Sequence, residues 1–175
     1  MSSKNLSQIK SRLRRYLEDK EILDIILFGS AYKGKAAPTD IDVAVITEKK
    51  IDISIPDFHI SVLSPKDFIV NPSSLVNTLL REGYSLKNNK PFAALYSFSS
   101  RALFVYALKS LNASEKVKLV NILRGKRGMK GLVEDNSGVW LANQVFLVPV
   151  EKEYTFEKVF LNFKIKFKKQ FILIH

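Results

Sequence analysis

The sequence predicts an α+β chain: a mixed β-sheet unit with flanking helices, followed by a small basic α+β module. Three observations carry that reading. Runs of β-branched and aromatic residues at about 23–28 and 41–47 read as strands covered on both faces. Stretches with one apolar face, at 5–19 and 112–123, read as helices. The charge is uneven: the chain carries +11 overall, of which residues 1–100 supply +3 and residues 101–175 supply +8.

Taken in order, residues 5–19 place Leu6, Ile9, Leu13, Tyr16 and Leu17 on one helical face, with Lys10, Arg12, Arg14 and Arg15 elsewhere around it. The run Asp24-Ile-Ile-Leu-Phe28 is the first strand, and Gly29-Ser30 stops it. A glycine there lets backbone approach a ligand closely, and a hydroxyl beside exposed N–H groups suits phosphate oxygens. Asp40-Ile-Asp42 opens the second strand, Val43-Ala-Val-Ile46. The strand period of two sets both carboxylates on one face. Two adjacent carboxylates repel, so the pair makes sense around a divalent cation, and hard oxygens with substrate phosphates suit Mg²⁺. A third strand at 58–63 ends before Pro65, and Ser73 or Ser74 caps a helix from Leu75 to Glu82 that Gly83 stops.

The turn Asn88-Asn-Lys-Pro91 is the candidate boundary, giving domains 1–88 and 89–175. Beyond it, Phe92–Phe98 and Ala102–Leu108 read as strands, although either also passes for a short helix. Asn112-Ala-Ser-Glu115 is a capping box for a helix to about Leu123. Arg124-Gly-Lys-Arg-Gly-Met-Lys-Gly131 then packs four cations and three glycines into eight residues. Exposed N–H groups and cations neutralise phosphates, so Arg124, Lys126, Arg127 and Lys130 are candidate contacts to nucleic acid or a triphosphate tail. The single Trp140 is read as a core residue, with base stacking as the alternative. A strand at Val145–Pro149, a helix at about 154–163 and a half-exposed strand at the tail complete the module.

Composition narrows the function. The absence of cysteine excludes disulfides and thiolate metal sites. No apolar run reaches the roughly 18 residues of a membrane span, and the N-terminus lacks the apolar core of a signal peptide. The expectation is a cytoplasmic protein without a membrane partner. A basic half beside a nucleotide site suggests a polyanionic co-substrate, RNA or DNA.

The strand, the Gly29-Ser30 turn, Gly34 four positions on and Asp40-x-Asp42 together resemble the nucleotidyltransferase superfamily that includes DNA polymerase β, poly(A) polymerases, CCA-adding enzymes and the small prokaryotic minimal nucleotidyltransferases. The resemblance extends over about the first 70 residues and leaves 90–175 undefined. It implies a nucleotidyltransferase-like sheet in which Gly29, Ser30 and Gly34, with Lys33 in the same turn, hold a nucleoside triphosphate, while Asp40 and Asp42 bind Mg²⁺ or Mn²⁺. Family members place a third carboxylate on the next strand, and here that position falls on His59. A histidine can take a proton but is a poor ligand for Mg²⁺. Asp57, two residues upstream, serves instead if the register shifts or a bulge intervenes. The implied activity is metal-dependent transfer of a nucleoside monophosphate to a hydroxyl of RNA, protein or a small molecule, with release of pyrophosphate. The alternative is a catalytically impaired module that binds nucleic acid or a protein partner, antitoxin-like in one version.

Overall fold

The computed structural model describes residues 3–33, 40–70 and 72–175. It is mixed α+β with two sheets, and the chain divides into two compact units: residues 1–100 with 173–175, and residues 101–172. The turn at 88–91, the boundary read from the sequence, lies inside the first unit.

The first unit begins with α1 (Ser3–Leu17), β1 (Ile22–Phe28), the single turn α2 (Gly29–Tyr32), β2 (Ile41–Thr47) and β3 (Phe58–Leu63). It continues through α3 (Ser74–Glu82), β4 (Tyr84–Ser85) and β5 (Lys90–Pro91). The sheet order is β3-β2-β1-β4-β5, with only β2 and β3 parallel. The alternation of a strand explains why its central runs are apolar throughout. Ile25, Leu27, Val43 and Val45 point to one face and pack with Ile9 and Leu13 of α1. Ile26, Ala44 and Ile46 point to the other and pack with Leu79 of α3 and Phe92. Both faces are therefore dry, which is what a continuous β-branched run requires.

Two local departures from the expected elements have physical causes. Residues 92–98, whose pattern suits a strand or a short helix, take the helical form, a 3₁₀ helix at Phe92–Tyr96. Pro91 supplies a pre-set φ of −50° at its start, and Ser97, in the left-handed region at φ 62°, ends it. Asn88–Pro91 closes a β4–β5 hairpin instead of a linker.

The second unit contains β6 (Ser99–Tyr106, whose first two residues fall in the first unit), α4 (Ala113–Arg124), α5 (Leu132–Asp135), β7 (Val139–Ala142), β8 (Val145–Pro149), α6 (Glu153–Asn162) and β9 (Phe167–Ile174, whose end falls in the first unit). The sheet order is β7-β8-β6-β9. Asn112 and Glu115 form the reciprocal capping box at the start of α4, at 2.9 and 3.0 Å. The core is aromatic: Phe104, Phe146, Phe156 and Phe160 are all fully buried. Phe104 stacks on Phe146 at 5.4 Å between centroids. A buried and a half-buried carboxylate of α6 meet one cation of β9: Lys169 Nζ lies 3.2 Å from Glu153 and 2.6 Å from Glu157.

Candidate functional site

The site forms where β1 ends, β2 begins and β3 begins, because register brings those three ends together. Phe28 of β1 lies opposite Asp42 of β2. In the parallel pairing, Ile41 lies beside Phe58 and Asp42 beside His59. One carboxylate is thus flanked on both sides by neighbouring strands.

The chain turns at Gly29 with φ +70°, a conformation that glycine adopts without cost. A second constraint acts at the same place. A Cβ built on Gly29 would fall 2.4 Å from Oδ2 of Asp42. The backbone of the turn therefore lies directly against the Asp42 carboxylate, and any side chain at position 29 would displace it. The other oxygen, Oδ1, is 3.2 Å from Nδ1 of His59. The Asp42 side chain is 29% exposed and that of His59 71%, so the group is held by protein on two sides and open to solvent. Asp40, just before β2, is exposed, and Ser30, in the single helical turn, is half-buried.

Asp57 takes a different role. Its backbone, at φ +64°, positions a carbonyl that accepts the Ile41 N–H at 2.9 Å, which fixes the start of β2 against β3. Its carboxylate is directed to Arg12 of α1, 3.5 Å away. The same guanidinium donates to the Pro56 carbonyl and lies 4.7 Å over the Phe58 ring. Asp57 is thus tied to α1, and His59 is the residue that contacts Asp42. Lys33 is also engaged: its Nζ is 2.5 Å from Oε2 of the buried Glu82 in α3. Gly34 lies outside the described residues.

In the second unit the glycine-rich loop folds back on itself. Gly125, at φ +86°, has no room for a side chain, since a Cβ would meet the Met129 carbonyl oxygen at 1.9 Å. Arg124 is committed within the unit, its guanidinium 3.9 Å over the Trp140 ring and donating to Asn143 Oδ1 at 3.3 Å. Lys126, Arg127 and Lys130 are exposed. Trp140 is half-buried in β7 and packs edge-on against Phe146 at 5.1 Å, as a core residue does.

A turn of close-packed backbone set against a strand carboxylate, on a sheet of this order, is the arrangement that comparison with known families addresses. Residues 6–90 match the family model described as nucleotidyltransferase domain. The chain carries a nucleotidyltransferase domain. That segment holds every element of the site described in the first unit, and the match is consistent with a DNA polymerase β-like nucleotidyltransferase. No curated protein and no solved structure gives a significant match to the chain.

The donor set of the nucleotidyltransferase domain bears on the metal that such domains use. Among the described residues no group of three or more histidine, aspartate or glutamate side chains is gathered closely enough to cage a cation. Asp40 and Asp42 nevertheless suit Mg²⁺, which takes one or two carboxylates and completes its shell with water and substrate phosphates. The imidazole of His59 adds no hard ligand. Two sequence signals were silent about the surroundings: nothing in the pattern marked Arg12 as the partner of Asp57, or Glu82 as the partner of Lys33. Among the described residues no helix is long and apolar enough to cross a membrane.

Proposed function

We propose that the chain is a metal-dependent nucleotidyltransferase that moves a nucleoside monophosphate from a nucleoside triphosphate to a hydroxyl of RNA, protein or a small molecule. The observation that carries this reading is the Asp42 carboxylate lodged between the Gly29 turn and His59, at 3.2 Å from the imidazole. Gly29 and Ser30 would receive phosphate oxygens on backbone N–H groups and the serine hydroxyl. Asp40 and Asp42 would hold Mg²⁺ or Mn²⁺, which when bound neutralises the charge of the triphosphate and of the departing pyrophosphate. The acceptor hydroxyl attacks the α-phosphorus, the bond to the bridging oxygen breaks, and pyrophosphate leaves. With Nδ1 of His59 turned to Asp42, Nε2 is the ring nitrogen left for the hydroxyl proton.

The exposed Lys126, Arg127 and Lys130 support a polyanionic partner, RNA or DNA, through phosphate contacts. Lys33 would reach a phosphate only by leaving Glu82.

The test incubates the full chain with Mg²⁺ or Mn²⁺, each α-³²P-labelled triphosphate, and cellular RNA or lysate protein as acceptors. Label transfer that is lost in Asp40→Ala/Asp42→Ala is the expected result. One observation favours a second reading, a nucleotidyltransferase-like binding module with impaired catalysis: the position beside Asp42 is a histidine, and Asp57 is held by Arg12. Metal-dependent nucleotide binding without transfer would select that reading.

A further inference from the structure

Asp24 is buried, at 5% exposure, and it is a carboxylate without a cation. Its Oδ1 accepts from the backbone N–H of Ile25 at 2.8 Å and from the Ser85 hydroxyl at 2.9 Å. Its Oδ2 holds a single long contact, from Asn88 Nδ2 at 3.3 Å. Among the described residues no lysine or arginine pairs with it, and the nearby Lys87 ammonium is spent on the carbonyls of Asp19 and Ile22. Buried carboxylates are normally paired, because desolvating the charge is costly.

The same residue lines a cavity of about 560 Å³ in the first unit, whose remaining wall is almost wholly apolar. Four aromatic rings line it: Phe68, Phe92, Tyr96 and Phe98. Phe68 and Phe92 lie 5.8 Å apart between centroids, and Phe92 meets Tyr96 edge-on at 5.5 Å. The cavity lies toward the N-terminal end of β1, where Asp24 stands five residues, roughly 16 Å of strand rise, from Gly29. It is separate from the nucleotide site.

We propose that this cavity binds a small organic cation with an aromatic or aliphatic body. Ring faces attract ammonium groups, apolar walls take the body, and Oδ2 of Asp24 accepts from the head. A purely neutral guest would leave the Asp24 charge unanswered. The chain carries +11, so no long-range field draws cations to it, and binding there reads local recognition.

The test uses the full chain and two probes of nearly equal shape, phenethylammonium and 2-phenylethanol, followed by amide chemical shifts. The cation is expected to bind saturably and about tenfold tighter than the alcohol, with shifts at Asp24, Phe92 and Tyr96. Asp24→Asn, which keeps the acceptor for Ser85, should erase the preference. Tyr96→Ala, at a half-exposed rim position, should weaken the cation about fivefold, and it keeps the test decisive if the Asp24 variant does not fold. Equal affinity for the two probes, no saturable shift, or an unchanged affinity in Tyr96→Ala would overturn the proposal.

Discussion

Two aspartates of one sheet, Asp42 and Asp24, show how the same side chain is put to different uses at opposite ends of the β1–β2 pair. Asp42 has a backbone turn against one oxygen and an imidazole at 3.2 Å from the other, and its side chain is 29% exposed. Asp24 is buried and bound by three neutral donors from β1, β4 and the hairpin beyond it. The first has coordination capacity that faces solvent. The second joins Ile25, Ser85 and Asn88, so its oxygens hold β4 against β1. A carboxylate at an open strand end suits a hydrated metal with phosphates; a buried one suits strand registry and, at its less engaged oxygen, an organic cation.

The largest expected effect separates the two ends by activity. Asp42→Ala should lower label transfer by about a thousandfold, the scale of losing a charge-stabilising group, while shifting unfolding free energy by less than about 1 kcal/mol. Denaturation and transfer assays on the same preparation check both halves. Asp24→Ala should do the reverse. It leaves the Ser85 hydroxyl and the Ile25 N–H without their acceptor, so urea unfolding should show a loss of about 2–4 kcal/mol, with activity per folded molecule retained.

Gly29→Ala probes the contact that defines the open end. The added methyl meets Asp42 Oδ2 at 2.4 Å, at a φ of +70°. Stability should fall by about 1–2 kcal/mol, and transfer should fall further than stability because Asp42 is displaced. A variant with reduced stability and full transfer would show that the turn and the carboxylate act separately.

The smallest effect sharpens the role of the third position. His59→Asp sets a hard ligand beside Asp42 in the register the sheet already provides. Transfer should rise about tenfold with Mg²⁺, read as initial rate at saturating nucleotide. An unchanged rate would assign His59 to a part of the reaction that a carboxylate cannot improve.

The central strands were readable because both of their faces are covered: Ile25, Ile26, Leu27 and Val43–Ile46 leave no polar alternation to misread. On the third strand the sequence offered His59, through the family's frame, and Asp57 as its alternative; the parallel pairing that sets His59 beside Asp42 is a long-range contact with no local signature. The partners of the site were not. Arg12 and Asp57, or Lys33 and Glu82, meet only after the chain has folded, and charge on a helix face carries no sign of its destination. Residues 92–96 defeated the strand pattern because Pro91 fixes the backbone that enters them, and Phe92 and Ala93 are buried in a 3₁₀ turn instead of along a strand. In the second unit, β7 escaped notice since only Trp140 in it faces the core, while Val139 and Leu141 are exposed.

The most direct test maps the two ends together. Amide chemical shifts of the full chain should be recorded with each nucleoside triphosphate, with and without Mg²⁺. The account predicts Mg²⁺-dependent shifts at Phe28–Ser30 and Ile41–Val43 and none at Leu23–Ile25. Shifts confined to the Asp24 end, or none at Gly29 and Asp42 with any triphosphate, would contradict it.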